Sequence, residues 1–409
     1  MKIVITGASG FIGSQLVPLL EEMGHDLLLA GRSLEKMQSS FPNQNVCNYD
    51  NLEKKSFEYD AVIHLAAINN SAKADAETFK NANVEFIKKI AKNTIDARIP
   101  HFINISSTHS QIKSKNDHYS VSKREGELAL KAICLPRVSN FYVPAVYGNI
   151  FRGKLSFLHY VPRFFRAFSF ELVASIRPTL SIEKLASAIN VELMRINLSQ
   201  INSVPQFKKI YLSDTQTENR IFLVQKRFID LIVSATLLLL LSWLLFIIFL
   251  LIPLNSPGPA IFAQQRIGKG KEKFICYKFR TMAVGTADQP THLTSDAQLT
   301  KIGSYLRRTK LDELPQLFNI LRNEMSLVGP RPCLPSQEEL VNARSIRSVF
   351  TVKPGITGLA QIQGIDMSDP GKLAVEDSKY VALQSVPGDL ILILKTLLGN
   401  GQGDRVPLQ

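Results

Sequence analysis

The chain has 409 residues, 45% hydrophobic and 20% charged, which excludes a disordered protein and leaves room for two domains with a core each. Its formal net charge of +13 is spread over both halves; it suits an anionic membrane surface or phosphorylated substrates, and no nucleic-acid motif accompanies it. The four cysteines, Cys47, Cys134, Cys276 and Cys333, lack any paired metal-ligand spacing and read as reduced cytosolic thiols.

The chain opens on the apolar run Lys2-Ile3-Val4-Ile5, continues through Thr6-Gly7-Ala8-Ser9-Gly10-Phe11-Ile12-Gly13, and enters a helical pattern at Leu16, Leu19 and Leu20. Strand, glycine turn and helix in that order are the setting in which a dinucleotide fingerprint acts. Gly7 permits the tight turn, Gly10 lets backbone N–H groups approach a pyrophosphate, and Gly13 allows close helix packing. A second strand over Leu27–Ala30 runs into Gly31-Arg32-Ser33, where an NAD-preferring site usually carries an acidic residue. Arg32 can instead neutralise a 2′-phosphate, which favours NADP; a solvated loop arginine is the plain alternative.

Next come Asn48-Tyr49-Asp50, a strand ending in His64-Leu65-Ala66-Ala67, Asn83 within a helix, and a strand over Phe102–Ile105 that leads to Ser106-Ser107-Thr108. Tyr119-Ser120-Val121-Ser122-Lys123 follows. Four residues apart on a helix, a lysine lies beside a tyrosine, and a nearby cation draws a phenol's pKa toward neutrality. Alone, such a pair is more often an ordinary surface pair.

In this order the motifs Thr6-Gly7-x-x-Gly10-x-x-Gly13 and Tyr119-x-x-x-Lys123 resemble the extended short-chain dehydrogenase/reductase family of nucleotide-sugar epimerases, reductases and dehydratases. The resemblance implies a Rossmann-type doubly wound parallel sheet and NADP(H) or NAD(H) as cofactor. It implies that Tyr119 is the general acid/base and that Lys123 binds the nicotinamide ribose and lowers the tyrosine pKa. Thr108 would hydrogen-bond the reacting oxygen, with Ser107 a near competitor, and Asp50 falls where the family contacts adenine. The implied cofactor set is Gly7, Gly10, Phe11, Ile12, Gly13, Arg32, Asp50, Ala66 and Lys123. Val138–Val146 resembles the strand leading into the substrate region, Lys209–Asp214 the last strand, and Arg177 is a candidate contact to a nucleotide-sugar phosphate.

The stretch Leu231–Ile252 is apolar over 22 residues except for Ser234, Thr236 and Ser242, close to the roughly 20 that a helix needs to cross a bilayer. Arg220, Lys226 and Arg227 precede it, while Arg266, Lys269, Lys271, Lys273, Lys278 and Arg280 follow. Positive charge stays on the cytoplasmic side, so a helix that dips into one leaflet and returns near Ser242 fits better than a spanning one.

Beyond it lie Tyr277-Lys278-Phe279-Arg280, a polar loop from Gly285 to Gln298, Arg307-Arg308-Thr309-Lys310-Leu311-Asp312-Glu313-Leu314-Pro315, Gly329-Pro330-Arg331-Pro332, Lys353-Pro354-Gly355-Ile356-Thr357-Gly358 and Asp377-Ser378-Lys379-Tyr380. A carboxylate can attack phosphorus, provided that cations such as Arg307, Arg308 and Lys310 offset the repulsion between two anions. A helix starting near Thr309, with Pro315 early in it, would add its positive end. Arg331, between two prolines, can present a fixed fork to phosphate.

This succession resembles the bacterial sugar transferases, the monotopic phosphoglycosyl transferases that move a sugar 1-phosphate from a nucleotide diphosphate sugar to a polyprenyl phosphate. The resemblance implies that Asp312 is the nucleophile, that Glu313 is its dyad partner and that the two hold Mg2+. Arg307, Arg331, Arg280 and Lys278 are candidate substrate contacts, and Asp377 either positions metal or substrate or caps its helix through Tyr380. The family usually follows the membrane serine with proline, whereas Ser242 here precedes Trp243, which neither removes a backbone bond nor clashes with the preceding turn.

The expected chain is therefore α/β: a nucleotide-sugar domain over 1–220, then a transferase domain over 222–409 with a membrane helix at 228–253 and a small, mainly helical α+β catalytic part. The expected partners are a UDP-sugar, undecaprenyl phosphate and membrane lipids, with no nucleic acid and with homodimerisation left open. The expected location is the bacterial inner membrane, both domains facing the cytoplasm. The most concrete reading is C4 reduction of a UDP-4-keto-6-deoxy-N-acetylhexosamine followed by phosphosugar transfer. A UDP-sugar 4-epimerase, or a non-catalytic binding module, on the same transferase is the alternative.

Overall fold

Alternation with period two builds the first strand: Ile3 and Ile5 pack into the core on one face of the sheet and Val4 into that on the other, all three fully buried. The computed structural model describes residues 1–68, 72, 74–111, 116–148, 151, 153–195, 206–285 and 299–399; the expected polar loop at 286–298 lies outside the described residues. Contacts divide the chain into one unit of Met1–Arg166 with Pro178–Asp214 and another of Ala167–Arg177 with Thr215–Gln409.

In the first unit β1 (Lys2–Thr6), β2 (Asp26–Gly31), β3 (Asn45–Asn48), β4 (Ala61–His64), β5 (His101–Ser107) and β6 (Arg137–Val143) belong to a parallel sheet. The strand expected over Val138–Val146 splits at Pro144, which has no N–H for the ladder; β7 (Ala145–Tyr147) pairs with β8 (Thr179–Ser181) instead. A seventh strand, β9 (Gln206–Tyr211), completes the order β3-β2-β1-β4-β5-β6-β9. That is a Rossmann-type doubly wound sheet whose order reverses between β1 and β4, the point where such sheets open a crevice for ligands. Helices Phe11–Glu22 and Ile182–Met194 cover one face, helices Phe86–Asp96 and His118–Ala132 the other.

The second unit is mainly helical, with a hairpin of β10 (Ile261–Ile267) and β11 (Lys273–Phe279) and a short parallel pair, β12 (Ser326–Val328) and β13 (Gly355–Thr357). Its long helix begins at Arg220, where Asn219 caps it by accepting the Phe222 N–H at 3.0 Å, and runs to Leu240. The helix thus begins eight residues ahead of the expected membrane helix at 228–253. Lys226, Arg227 and Asp230 are helical residues bonded to the main chain of Ile320, Leu321, Leu327 and Val328, not free charges flanking an apolar segment.

The apolar stretch is two helices, Arg220–Leu240 and Ser242–Asn255, bent by 64° at Leu241, and no single helix among the described residues is long and apolar enough to cross a membrane. No proline sits at the bend. Leu241 leaves helical geometry (φ −97°, ψ 4°) and the Ser242 hydroxyl donates to the Leu239 carbonyl at 2.9 Å, a serine back-bond of the kind that bends helices. Around the bend Leu239, Leu240, Trp243 and Phe246 are 62–76% exposed.

Candidate functional site

In the first unit Gly7 leaves β1 with φ +74°, and a Cβ there would stand 2.6 Å from the Ala66 backbone nitrogen, so the exits of β1 and β4 touch. A Cβ on Gly13 would meet the Gly7 carbonyl at 2.5 Å. Gly10 donates its N–H to the same carbonyl at 3.0 Å and caps the Phe11–Glu22 helix without any side chain. The result is a bare backbone cradle at an open helix start, which fits the pyrophosphate of a dinucleotide. Phe11 and Ile12 open that helix, both partly buried.

The adenine side differs from expectation. The short 3-10 turn Tyr49–Asn51 sends Asp50 outward, where it is 83% exposed and pairs with Lys89 at 2.7 Å. Tyr49 turns inward: burial raises its pKa, while the charge of exposed Arg32 and a hydrogen bond from the Gly7 N–H act on its hydroxyl.

Tyr119 lies in the His118–Ala132 helix, which Asp117 caps by accepting the Ser120 N–H at 2.9 Å. The side chain hydrogen-bonded to its hydroxyl is Ser107. Thr108 is buried at the head of the following 3-10 turn. Burial pushes the Tyr119 phenol above its ordinary pKa against the opposing effect of Ser107, so the expected lowering by Lys123 is not found. Lys123 is itself dehydrated and falls to about 8. Its charge acts on His64, which burial and then Lys123 bring to about 3 and which bonds Thr6 Oγ1 at 2.9 Å. Asn83, in a π-helical turn, accepts the Ile68 N–H at 3.0 Å and donates to Ser122 Oγ at 3.0 Å, tying the exit of β4 to the tyrosine helix. Arg177 is exposed and groups with the second unit.

In the second unit, helix Lys301–Thr309 ends where one was expected to begin. Lys310 (φ 58°) closes it in the left-handed conformation, and a 3-10 turn, Leu311–Glu313, carries the acidic pair. Asp312 and Glu313 thus sit in the first turn of a short helical run that leads through Leu314 and Pro315 into helix Gln316–Leu321, and side chains add the rest of the offset. Asp312 is 8% exposed, and burial followed by the Glu313 charge raises its pKa to about 6 against Lys278, Arg307 and Arg331. Burial would raise Glu313 too, but Arg331 and Lys278 outweigh it and hold the carboxylate well below its usual range. Their contacts to Glu313 Oε1 are 2.9 Å from Arg331 Nη2 and 3.1 Å from Lys278 Nζ. Arg307 donates through Nε to Thr281 Oγ1 at 3.0 Å.

Arg308 and Lys310 are exposed, and Arg308 lies over the Tyr305 ring, so the basic set at Asp312 is Lys278, Arg307 and Arg331. Arg280 is not in it. Buried to 6% exposure, it donates to the carbonyls of Ser256 and Pro257, pinning the loop behind the bent pair. Among the described residues no group of three or more His, Cys, Asp or Glu could hold a metal; Asp312 and Glu313 stand as two carboxylates, enough for an ion that completes its shell with phosphate and water.

Residues 221–400 match the family model described as Bacterial sugar transferase, and residues 3–168 that described as NAD dependent epimerase/dehydratase family. A UDP-glucose:undecaprenyl-phosphate glucose-1-phosphate transferase of Caulobacter vibrioides is 37% identical over 186 residues, covering 42% of this chain and 68% of its own. The chain belongs to the bacterial sugar transferases. A Klebsiella pneumoniae protein of the same description is 39% identical over 230 residues, covering 54% of this chain and 48% of its own, so this sugar transferase spans about half the length of that curated relative. The first unit is similar to the enzyme WbmG of Bordetella bronchiseptica, solved in complex with NAD, at 19% identity and a TM-score of 0.40, covering 52% of this chain and 72% of that one.

Sequence reasoning missed how the sugar transferase half fixes Arg331. Arg344, 1% exposed, donates through Nη1 to the Arg331 carbonyl at 2.8 Å and through Nε to Asp377 Oδ2 at 2.9 Å. Asp377 thus lies mid-helix, not at a cap, and is the counterion of a buried arginine. Lys226 donates to the Val328 carbonyl at 3.0 Å and to Asp389, Arg227 to the Ile320 and Leu321 carbonyls, and Asp230 accepts the Leu327 N–H at 2.9 Å. Only their position just ahead of the apolar run hinted at such a role.

Proposed function

We propose that the second unit transfers a sugar 1-phosphate from a UDP-sugar to undecaprenyl phosphate through Asp312. An Asp312 carboxylate oxygen attacks the sugar-bearing phosphorus, the bond to the UMP oxygen breaks, and UMP leaves with the electron pair. The lipid phosphate then attacks the same phosphorus and frees the carboxylate. The observation that carries this reading is a buried aspartate faced by Lys278, Arg307 and Arg331 while its neighbour Glu313 is held ionised by two of them. Such a set lets two anions meet. Asp312 and Glu313 would hold Mg2+, which would neutralise charge on the phosphoryl oxygens.

The bent apolar pair would enter one leaflet of the bacterial inner membrane and return, leaving both units on the cytoplasmic face; its exposed leucine, phenylalanine and tryptophan side chains support this. For the first unit the reading is reduction at C4 of a UDP-4-keto-sugar that the second unit then consumes, serving surface-glycan synthesis. Bound NADP(H) would supply the hydride, and Arg32 at the end of β2 would meet its 2′-phosphate. Tyr119, kept protonated by burial, suits donation of a proton to the new C4 oxygen, with Ser107 positioning the phenol.

The test is UMP release from a panel of UDP-sugars by the membrane-bound chain with undecaprenyl phosphate present, together with mass spectrometry of trapped protein. A phosphosugar on Asp312 that Asp312→Asn abolishes is expected; an adduct elsewhere, or UMP release surviving the substitution, would refute it.

A further inference from the structure

Away from Asp312, the second unit holds another convergence of cations. A cleft of about 70 Å3 lies between the first turns of the Arg220–Leu240 helix, β12 and the segment Thr351–Lys353, and Lys226, Arg227, Lys269 and Lys353 line it with a single carboxylate, Asp230. None of the residues lining it belongs to the Lys278, Arg307 and Arg331 set.

The carboxylates nearby are already used. Asp389 pairs with Lys226 at 2.5 Å, and Asp230 accepts from Ser326 Oγ at 3.1 Å and the Leu327 N–H at 2.9 Å. Among the described residues, Arg227, Lys269 and Lys353 have no carboxylate partner within ion-pair distance. Arg227 spends Nη1 and Nη2 on two carbonyls, so it contributes field; Lys353 Nζ donates to Asn323 Oδ1 and keeps two further N–H donors, and Lys269 is exposed, so these two ammonium groups can turn to a ligand. Lys353 lies below its ordinary pKa through burial and then repulsion from Arg227, with Asp230 opposing them, as for a cation crowded by other cations.

We propose that this cleft binds a phosphoryl group, held by Lys269 and Lys353 in the field of Arg227. Three cations without carboxylate partners call for a dianion, where one carboxylate would leave charge uncompensated. The space is several times the roughly 10 to 15 Å3 that a cavity needs to admit one water. Two sources share this chemistry: a free phosphorylated solute, and the headgroup of an anionic lipid reaching the foot of the helix whose opposite side exposes Val224 and Phe228.

The probe is inorganic phosphate, added at constant ionic strength to the full chain in detergent and carrying Arg331→Gln so that the Asp312 cations contribute less. Saturable broadening of the 31P line is expected, with affinity falling at least tenfold in Lys269→Gln/Lys353→Gln and kept in Lys353→Arg. In a second arm, hydrogen exchange over 349–353 is followed on vesicles of phosphatidylcholine with and without phosphatidylglycerol. Protection that needs phosphatidylglycerol assigns the site to a lipid headgroup; protection by phosphate on either vesicle assigns it to a solute. The proposal falls if phosphate binding is unchanged in the double variant, or if neither arm shows binding.

Discussion

Both units bury ionisable side chains, and burial pushes each toward its neutral form, but the countercharge beside them differs. Around Tyr119 there is little countercharge, so dehydration decides: the phenol rises, Lys123 falls to about 8, His64 falls to about 3, and each moves toward its neutral form. Around Asp312 three cations share the pocket with two carboxylates, and one carboxylate stays firmly ionised while the other is raised to about 6. The first arrangement suits giving up a proton, the second bringing one anion onto another. One chain thus holds two answers to the cost of dehydrating a polar group: neutralise it, or surround it with opposite charge.

The comparison can be broken most sharply at the two reacting groups. Asp312→Asn should lower UMP release by about 10⁴-fold or more while leaving the nicotinamide chemistry of the first unit intact. Loss of both together would mean that the two sites are not separate. Tyr119→Phe should do the converse, cutting reduced-nicotinamide oxidation by roughly 10² to 10⁴-fold with UMP release unchanged, both read in parallel assays.

Arg344→Met tests the charge-paired design at one remove, because it leaves Asp377 buried without its counterion. Urea denaturation should show a loss of about 3 to 5 kcal/mol, and UMP release should fall as the Arg331 carbonyl loses its donor.

A milder test is acidity. Protonating Asp312 removes the nucleophile, so UMP release should fall as pH drops through about 6, approaching about tenfold per unit below it. Glu313, whose pKa is lowered, stays ionised over that range. A flat profile would show that Asp312 is not the titrating group. Least of all should follow from Asp50→Asn: the exposed pair with Lys89 predicts a stability change within about 0.5 kcal/mol and, since Tyr49 faces the glycine turn in its place, unchanged dinucleotide affinity by fluorescence titration.

Local patterns were readable from sequence wherever neighbouring residues do the work. The strand and glycine turn at Lys2–Gly13, the strands over Leu27–Ala30 and Phe102–Ile105 and the adjacent acids Asp312 and Glu313 are of this kind. Partners distant in sequence were not readable. Arg344 and Asp377 meet across 33 residues, Lys226 and Asp389 across 163, and no spacing rule anticipates such pairs. The helix that ends at Thr309 was not readable either, because a lysine rarely takes the φ of +58° with which Lys310 closes it just before the acidic pair. Arg280 looked like a ligand contact because carbonyls ending a distant helix leave no trace in its own segment.

The three side chains that fasten Arg220–Leu240 span more than a turn of the helix and end on main-chain atoms of Ile320, Leu321, Leu327 and Val328. A rod clamped at several points transmits torque instead of slack. If the apolar arm beyond Leu241 enters a bilayer as proposed, a load on it from a thicker bilayer or a change in lateral pressure would be delivered to a strand that ends three residues from Arg331.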